Sequence, residues 1–172
     1  MDLSGLTDAV LAFVRENHAY APFIVAAFAF CESLAVLSLL VPATVILIGI
    51  GALIGATGID FWPIWLGAVV GAFAGDTVSY WVGRYFKDGA LTMWPLSRHP
   101  QMVERGRSFF HRWGAWGVFV GRFFGPLRAV VPLIAGILVM PHFLFQMVNA
   151  SSAMAWAFVM LAPGAGLMQA IF

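Results

Sequence analysis

The feature that most constrains this chain is the length of its uncharged apolar stretches. No Asp, Glu, Lys or Arg occurs from Ser33 to Ile59, and none occurs from Ala129 to Phe172. Each stretch is longer than the roughly 20 apolar residues with which a helix crosses a bilayer. Since 62% of the residues are hydrophobic and 10% are charged, the composition argues strongly against a soluble fold. We predict an all-α integral membrane protein.

The chain shows no internal boundary. No linker, charge block or low-complexity run divides it, so we expect a single membrane domain over residues 1–172. Apolar residues at helical spacing among polar ones predict an amphipathic surface helix over 1–17. Continuous apolar segments at 61–85 and 143–162 predict two spanning helices.

Helix breakers interrupt the two other apolar segments, 19–58 and 114–140. Pro42 divides the first segment between apolar neighbours, which are untypical of a turn in water. Broken helices are tolerated where protein or a wet cavity covers them, so we predict a re-entrant helical hairpin for each segment. Two ordinary spans are the alternative for the first. The second segment is broken by Gly125, Pro126 and Pro132.

A hairpin followed by a spanning helix occurs twice, which suggests an inverted repeat of the kind found in transporters. Within the first spanning helix, small residues spaced four apart form one smooth face that we call the glycine seam. Such a seam lets another helix approach closely in lipid, and a homodimer contact is the alternative. The seam consists of Gly67, Gly71, Gly75, Ser79 and Gly83.

The basic residues are concentrated between two predicted helices. Six of the nine lie between Arg84 and Arg112, and the positive-inside rule places such a loop in the cytoplasm. We therefore predict a multi-pass membrane protein with this loop on the cytoplasmic side. One apolar face within the loop predicts an interfacial helix over 98–113. The basic residues either set the topology alone or also contact substrate.

Four charged side chains fall well inside apolar segments: Glu32, Asp76, Arg122 and Arg128. At the centre of a lipid-exposed helix each would cost roughly 2.5 to 3.5 kcal/mol, so we expect them to face inward and meet one another. Two ion pairs that only fix packing are one explanation. Because apolar packing does this at least as well, a functional role is the stronger hypothesis.

The chemistry of these four side chains indicates a site for an anion and protons. Arg122 and Arg128 stay protonated and offer a planar fork of donors that suits a phosphate. Glu32 and Asp76 are candidates to carry protons. We predict that the four side chains form the substrate and proton site.

Six further residues are predicted to support this site. Half-helices that end near the breakers would direct backbone N–H groups toward an anion. Asn149 could hydrogen-bond a hairpin backbone or a ligand. The supporting set is Pro42, Gly75, Tyr80, Gly125, Pro126 and Asn149.

Several function classes lack support in the sequence. No nucleophile elbow, zinc-protease motif or P-loop occurs, so we expect no enzyme, no cofactor and no metal. The basic residues are few and adjoin spans, so no nucleic-acid binding is expected. Most of the seven tryptophans fall near predicted interfaces, as in an aromatic belt.

In order and spacing, the motifs of this chain resemble those of the DedA membrane proteins, which share a core domain with eukaryotic VTT lipid scramblases. Many members carry an acidic residue or glycine where this chain has Ala43-Thr44. The resemblance runs from about Phe30 to Trp156 and rests on Glu32, Pro42, Gly51, Gly75-Asp76, Tyr80, Gly83-Arg84, Phe110, Trp113-Gly114, Gly121-Arg122-Phe123, Gly125-Pro126, Arg128, Pro132, Ala135-Gly136, Met140, Phe145, Asn149 and Trp156.

The resemblance implies that the family's functional acids and arginines map onto Glu32, Asp76, Arg122 and Arg128. It also implies a place in the bacterial cytoplasmic (inner) membrane and translocation of lipids, including polyprenyl phosphate and phospholipids, with the proton-motive force involved. The resulting hypothesis is a flippase or scramblase for a phosphate-headgroup lipid, with the lipid and protons as partners. The alternatives are a proton-coupled antiporter for small cations or drugs, and a non-transporting assembly protein.

Overall fold

The structure is a computed structural model that describes residues 12–14, 16–34, 43–87, 89, 97, 100–124 and 127–166. Within these residues it is helical and contains no strand. A short 3-10 helix, His18–Tyr20, leads into α1. The α-helices are α1 (Ala21–Ser33), α2 (Ala43–Thr57), α3 (Phe61–Phe86), α4 (Pro100–Trp113), α5 (Ala115–Gly121), α6 (Leu127–Ile137) and α7 (His142–Leu161).

Two of the described helices are long and apolar enough to cross a bilayer, α3 with 26 residues and α7 with 20. At 1.5 Å per residue they measure about 39 and 30 Å, against about 30 Å of hydrocarbon. They pack antiparallel, because Phe61 meets Phe158 with ring centroids 5.9 Å apart and Tyr80 stacks on Phe145 at 4.3 Å. These helices correspond to the spans predicted at 61–85 and 143–162.

The glycine seam of α3 packs against helices of the same chain. A Cβ at Gly71 would collide with the carbonyl oxygen of Ala26 in α1, and a Cβ at Gly83 would collide with that of Leu133 in α6. Farther along α1, the Phe30 carbonyl oxygen would lie 2.7 Å from a Cβ at Gly75. The seam therefore serves packing within the chain, and a homodimer, which stays a prediction, would use another surface.

The direction of α1 follows from the same contacts. Gly67 lies against Pro22 and Gly71 lies against Ala26, so residue numbers rise together and α1 runs parallel to α3. Near the start of α3, Gly164 lies against Gly51, which joins α2 to the end of α7. A buried apolar core fills the space between these helices and α3.

The break in the second interrupted segment is narrower than predicted. The expectation that Pro132 helps to interrupt the chain is wrong, because α6 continues through Pro132 to Ile137. A proline inside a helix removes one hydrogen bond, here the bond to the Arg128 carbonyl, without ending the helix. Residues 122–124 form the start of the break. Gly125 and Pro126, like Pro42, lie outside the described residues.

The two predicted surface helices differ in how much of each is described. Of the first, predicted at 1–17, residues 12–14 and 16 are helical, and residues 1–11 and 15 lie outside the described part of the chain. The second corresponds to α4, which exposes Glu104, Arg105 and Arg112. Its Phe109 and Phe110 pack against an apolar cluster formed by α3, α5, α6 and α7.

Candidate functional site

The four intramembrane charges form two buried ion pairs. Arg122 Nη2 contacts Asp76 Oδ2, and Arg128 Nη2 contacts Glu32 Oε1. Asp76, Arg122 and Glu32 are each 5% exposed or less, whereas the Arg128 side chain is 13% exposed. The structure thus brings each arginine to an acid and takes all four charges out of lipid.

Three of the four charges lie where helices break. Glu32 is in the last turn of α1, which ends at Ser33 because Leu34 has an extended backbone with φ −79° and ψ 126°. Arg122 directly follows α5, and Arg128 is the second residue of α6. Helix interruptions therefore bring charged side chains from different segments to one region of the molecule.

Asp76, in contrast, projects from the middle of the continuous helix α3. Its neighbour Gly75 has no side chain, which allows the end of α1 to approach closely. The Ser33 side chain consequently hydrogen-bonds Asp76, while the Ser33 carbonyl accepts a 3.2 Å hydrogen bond from Ser79 Oγ. Since Ser33 is next to Glu32 in the chain, it links the two ion pairs.

Arg122 is held by a polar network as well as by Asp76. Its Nη2 donates to Asn149 Oδ1 at 2.7 Å, and its Nε donates to Ser152 Oγ at 3.1 Å. The Asn149 amide also donates to the Phe73 carbonyl at 3.1 Å. Asn149 is fully buried, so it fixes the arginine to both spanning helices.

Arg128 has a different environment. Its guanidinium carbon lies 5.4 Å from the centre of the Trp156 ring, within the range of a cation–π contact. Trp156 is 2% exposed, so an aromatic-belt position does not describe this tryptophan. Within the described residues, Glu32 and Trp156 are the charged and aromatic partners of Arg128.

The hydroxyl of Tyr80, a predicted supporting residue, lies at the connection between α6 and α7. It donates to the Met140 carbonyl at 2.6 Å and accepts from Arg84 Nη1 at 3.0 Å. Arg84 Nη1 also donates to the Met140 carbonyl at 3.3 Å. These contacts fasten the connection between α6 and α7 to α3.

Sequence reasoning missed two residues of this region, Ser152 and Trp156, as site candidates. Both lie on α7 with Asn149, and the three are separated by three and then four positions. That spacing places them on one helix face. A search for polar or aromatic residues in register with Asn149 would have found them.

The arrangement can exchange one anion for another. Each carboxylate neutralises a guanidinium in a place with little solvent, where charge-assisted hydrogen bonds are strong. A guanidinium fork that accepts a carboxylate also fits the oxygens of a phosphate. An incoming phosphate could therefore replace a carboxylate without leaving the arginine unpaired.

Comparison with known proteins identifies a matching domain family. The model of the VTT domain matches residues 41–166, a range that includes Asp76, Arg122 and Arg128. The chain is 35% identical over 153 residues to the inner membrane protein YabI of Escherichia coli, an alignment that covers 88% of this chain and 60% of YabI.

Two further relatives are named as uncharacterized membrane proteins. An uncharacterized membrane protein of Buchnera aphidicola subsp. Acyrthosiphon pisum is 29% identical over 89% of this chain and 60% of its own length. One from Mycobacterium tuberculosis is 33% identical over 67% of this chain and 56% of its own length. The chain thus spans about three fifths of the length of the relatives it matches. No solved structure matches it.

The relatives are bacterial membrane proteins, in agreement with the apolar composition and the two long helices. The domain match extends over most of the chain and includes three of the four buried charges. The chain therefore belongs to the VTT domain family, the family of the DedA membrane proteins that the sequence motifs predicted.

Proposed function

We propose that this protein is a lipid translocase that moves a phosphate-headgroup lipid, such as polyprenyl phosphate or a phospholipid, across the bacterial inner membrane. The observation that carries the proposal is the pair of buried arginine–carboxylate contacts at the ends of broken helices. Intramembrane charges are costly and mark substrate or ion pathways. The acyl or prenyl tail stays in lipid while the headgroup passes the arginines.

The first interrupted segment supports a re-entrant hairpin in this proposal. Because α1 and α3 run parallel, the chain must return between them to the side at which α1 began. With 13 residues in α1 and 15 in α2, the arms measure about 20 and 22 Å, shorter than about 30 Å of hydrocarbon. Short arms favour a hairpin over two complete spans.

The second interrupted segment has the same pattern from the opposite direction. Its arms α5 and α6 contain 7 and 11 residues, or about 10 and 16 Å. The first arm of each hairpin packs on its own following span, α1 on α3 and α5 on α7, and the second arm packs on the other span, α2 on α7 and α6 on α3. Since α3 and α7 are antiparallel, this exchange supports an inverted repeat.

A proton-coupled cycle fits the two pairs. Protonation of Glu32 or Asp76 removes its negative charge and frees an arginine for a phosphate oxygen. Loss of the proton restores the ion pair and displaces the headgroup. Lipid movement would then depend on the protons available on each side of the membrane.

The test is a headgroup-accessibility assay in liposomes. Wild-type protein should expose a fluorescent phosphate lipid from the inner leaflet to an added quencher, and Arg122→Gln and Arg128→Gln proteins should lose at least 90% of that rate, about 1.4 kcal/mol of barrier. Arg105→Gln is the matched control, since Arg105 is exposed on α4. Folded Arg122→Gln and Arg128→Gln proteins with wild-type rates would overturn the proposal.

A structural role is the second candidate, because each ion pair also joins two helices. Well-packed apolar residues often replace a buried ion pair without loss of stability. The double substitution Glu32→Leu with Arg128→Met tests this. A stable double variant that still moves lipid would assign packing to this pair, and a stable one that does not move lipid would assign substrate handling.

A further inference from the structure

Trp156 carries a buried polar group for which the described part of the chain offers no hydrogen-bond partner. Its side chain is 2% exposed, and its indole Nε1 is buried with no acceptor within hydrogen-bonding distance among the described residues. A buried N–H group without an acceptor is destabilising, and native proteins usually avoid it. Such a donor calls for an explanation.

Packing accounts for the ring but not for the N–H group. Trp156 belongs to the apolar cluster that joins α2, α3 and α7, where a phenylalanine would bury no polar atom. The cation–π contact with Arg128 also requires only the aromatic face. Neither contact uses the N–H group, which has no acceptor among the described residues.

The neighbours of Trp156 limit which hydrogen-bond acceptor its indole N–H can reach. On the same face of α7, Asn149 Oδ1 and Ser152 Oγ accept hydrogen bonds from Arg122. Trp156 lies beside the other arginine, Arg128. An indole N–H and a guanidinium are both donors only, so they cannot bond to each other and can only share an acceptor.

We infer that the indole N–H of Trp156 donates a hydrogen bond to a phosphate oxygen that is bound by Arg128. This inference deepens the proposed function, on which it rests, by adding a ligand-binding residue. The phosphate brings several acceptor oxygens, so it can serve the guanidinium fork and the indole together. The same chemistry would recognise a lipid headgroup or free phosphate.

The test uses two-dimensional NMR of the indole N–H groups in the full chain, held in phosphatidylcholine nanodiscs. Phosphatidic acid is added in one arm and inorganic phosphate in the other. The signal missing from Trp156→Phe protein identifies Trp156. We expect it to move downfield with phosphatidic acid; a shift with inorganic phosphate as well would show that the headgroup alone suffices.

Trp65 is the matched control, because its Nε1 already donates to the Met154 carbonyl at 3.2 Å. Its signal should not move. Trp156→Phe should bind phosphatidic acid about tenfold more weakly, the effect of one hydrogen bond to a charged group, and Trp65→Phe should bind normally. Replacement of Trp156 by benzothienylalanine, which keeps both rings but lacks the N–H, gives the same expectation with less change in packing.

The outcomes separate the inference from the function. A wild-type protein that binds phosphatidic acid without a shift of the Trp156 signal, or equally well after either Trp156 replacement, overturns the inference and leaves the translocase intact. If the wild-type protein does not bind phosphatidic acid, and its Arg122→Gln and Arg128→Gln variants transport lipid at the normal rate, both the inference and the proposed function are overturned.

Discussion

The two ion pairs have the same chemistry but different surroundings. Arg122 bonds Asp76, Asn149 and Ser152, and its side chain is 5% exposed. Arg128 meets Glu32 and the face of Trp156, and its side chain is 13% exposed. Both arginines follow helix breaks, yet among the described residues only Arg122 is hydrogen-bonded by neutral side chains of a spanning helix, whereas Arg128 meets only the aromatic face of one.

This difference separates an anchored charge from an exchangeable one. Displacement of Asp76 would leave Arg122 with two further acceptors in place, so the guanidinium would keep its position. Displacement of Glu32 would leave Arg128 beside an aromatic ring, so a new anion would supply most of its bonding. We expect Arg122 to position the site and Arg128 to take the larger part in anion exchange.

The largest expected effect comes from removing the charge of the anchored pair. Asp76→Asn should lower the free energy of unfolding by about 3–5 kcal/mol, because it leaves Arg122 buried without a counter-charge. Chemical denaturation in detergent, followed by circular dichroism, measures the loss. An Asp76→Asn protein as stable as wild type would show that hydrogen bonds from Arg122 to neutral side chains are enough to stabilise its buried charge.

The second largest effect is expected in the glycine seam, which positions α1, the helix that carries Glu32. Gly71→Leu should lower the free energy of unfolding by about 3 kcal/mol, because its side chain would collide with the Ala26 carbonyl of α1 and overpack the contact. Val70→Leu is the control, since Val70 is 54% exposed and should stay close to wild type. Equal stabilities would contradict the tight contact between α1 and α3.

Removing the charge of the exchangeable pair should have a smaller effect on stability. Glu32→Gln keeps the shape of the side chain and should lower the free energy of unfolding by about 2 kcal/mol, less than Asp76→Asn. The same denaturation series ranks the two variants. If Glu32→Gln is the more damaging, the assignment of the anchored and exchangeable pairs must be reversed.

The smallest effect tests one bond of the network. Ser152→Ala removes the acceptor of Arg122 Nε and should lower the free energy of unfolding by about 1 kcal/mol. Ser151→Ala is the control, because the exposed Ser151 hydroxyl bonds the Met147 carbonyl of its own helix. Indistinguishable thermal midpoints for the two variants would remove Ser152 from the network.

The sequence was sufficient to predict the two spanning helices and the burial of the four charged side chains. Both follow from features that can be read along the chain, namely the length of an apolar segment and the cost of a charge in lipid. It did not determine which acid pairs with which arginine. Asp76 could have met either arginine, and the choice depends on the place where α1 crosses α3. That crossing is set by contacts such as Gly71 with Ala26, which join distant parts of the chain.

The roles of single residues were harder to predict for the same reason. Pro132 was expected to break a helix that in fact continues, because packing against α3 outweighs the loss of one hydrogen bond. Tyr80 lies one turn from Asp76, but its hydroxyl reaches the Met140 carbonyl. Trp156 lies within a predicted span, and only the packed structure places its ring beside Arg128. Each outcome depends on side-chain direction in the packed molecule.

The position of Pro132 within α6 has a mechanical consequence. Proline has no backbone N–H, so the carbonyl of Arg128 does not receive the helical hydrogen bond that residue 132 would otherwise donate. The first turn of α6 can therefore tilt relative to the rest of the helix without the cost of breaking a hydrogen bond at this position. Because Arg128 lies in this first turn, its guanidinium can shift with the turn while the rest of α6 stays in place.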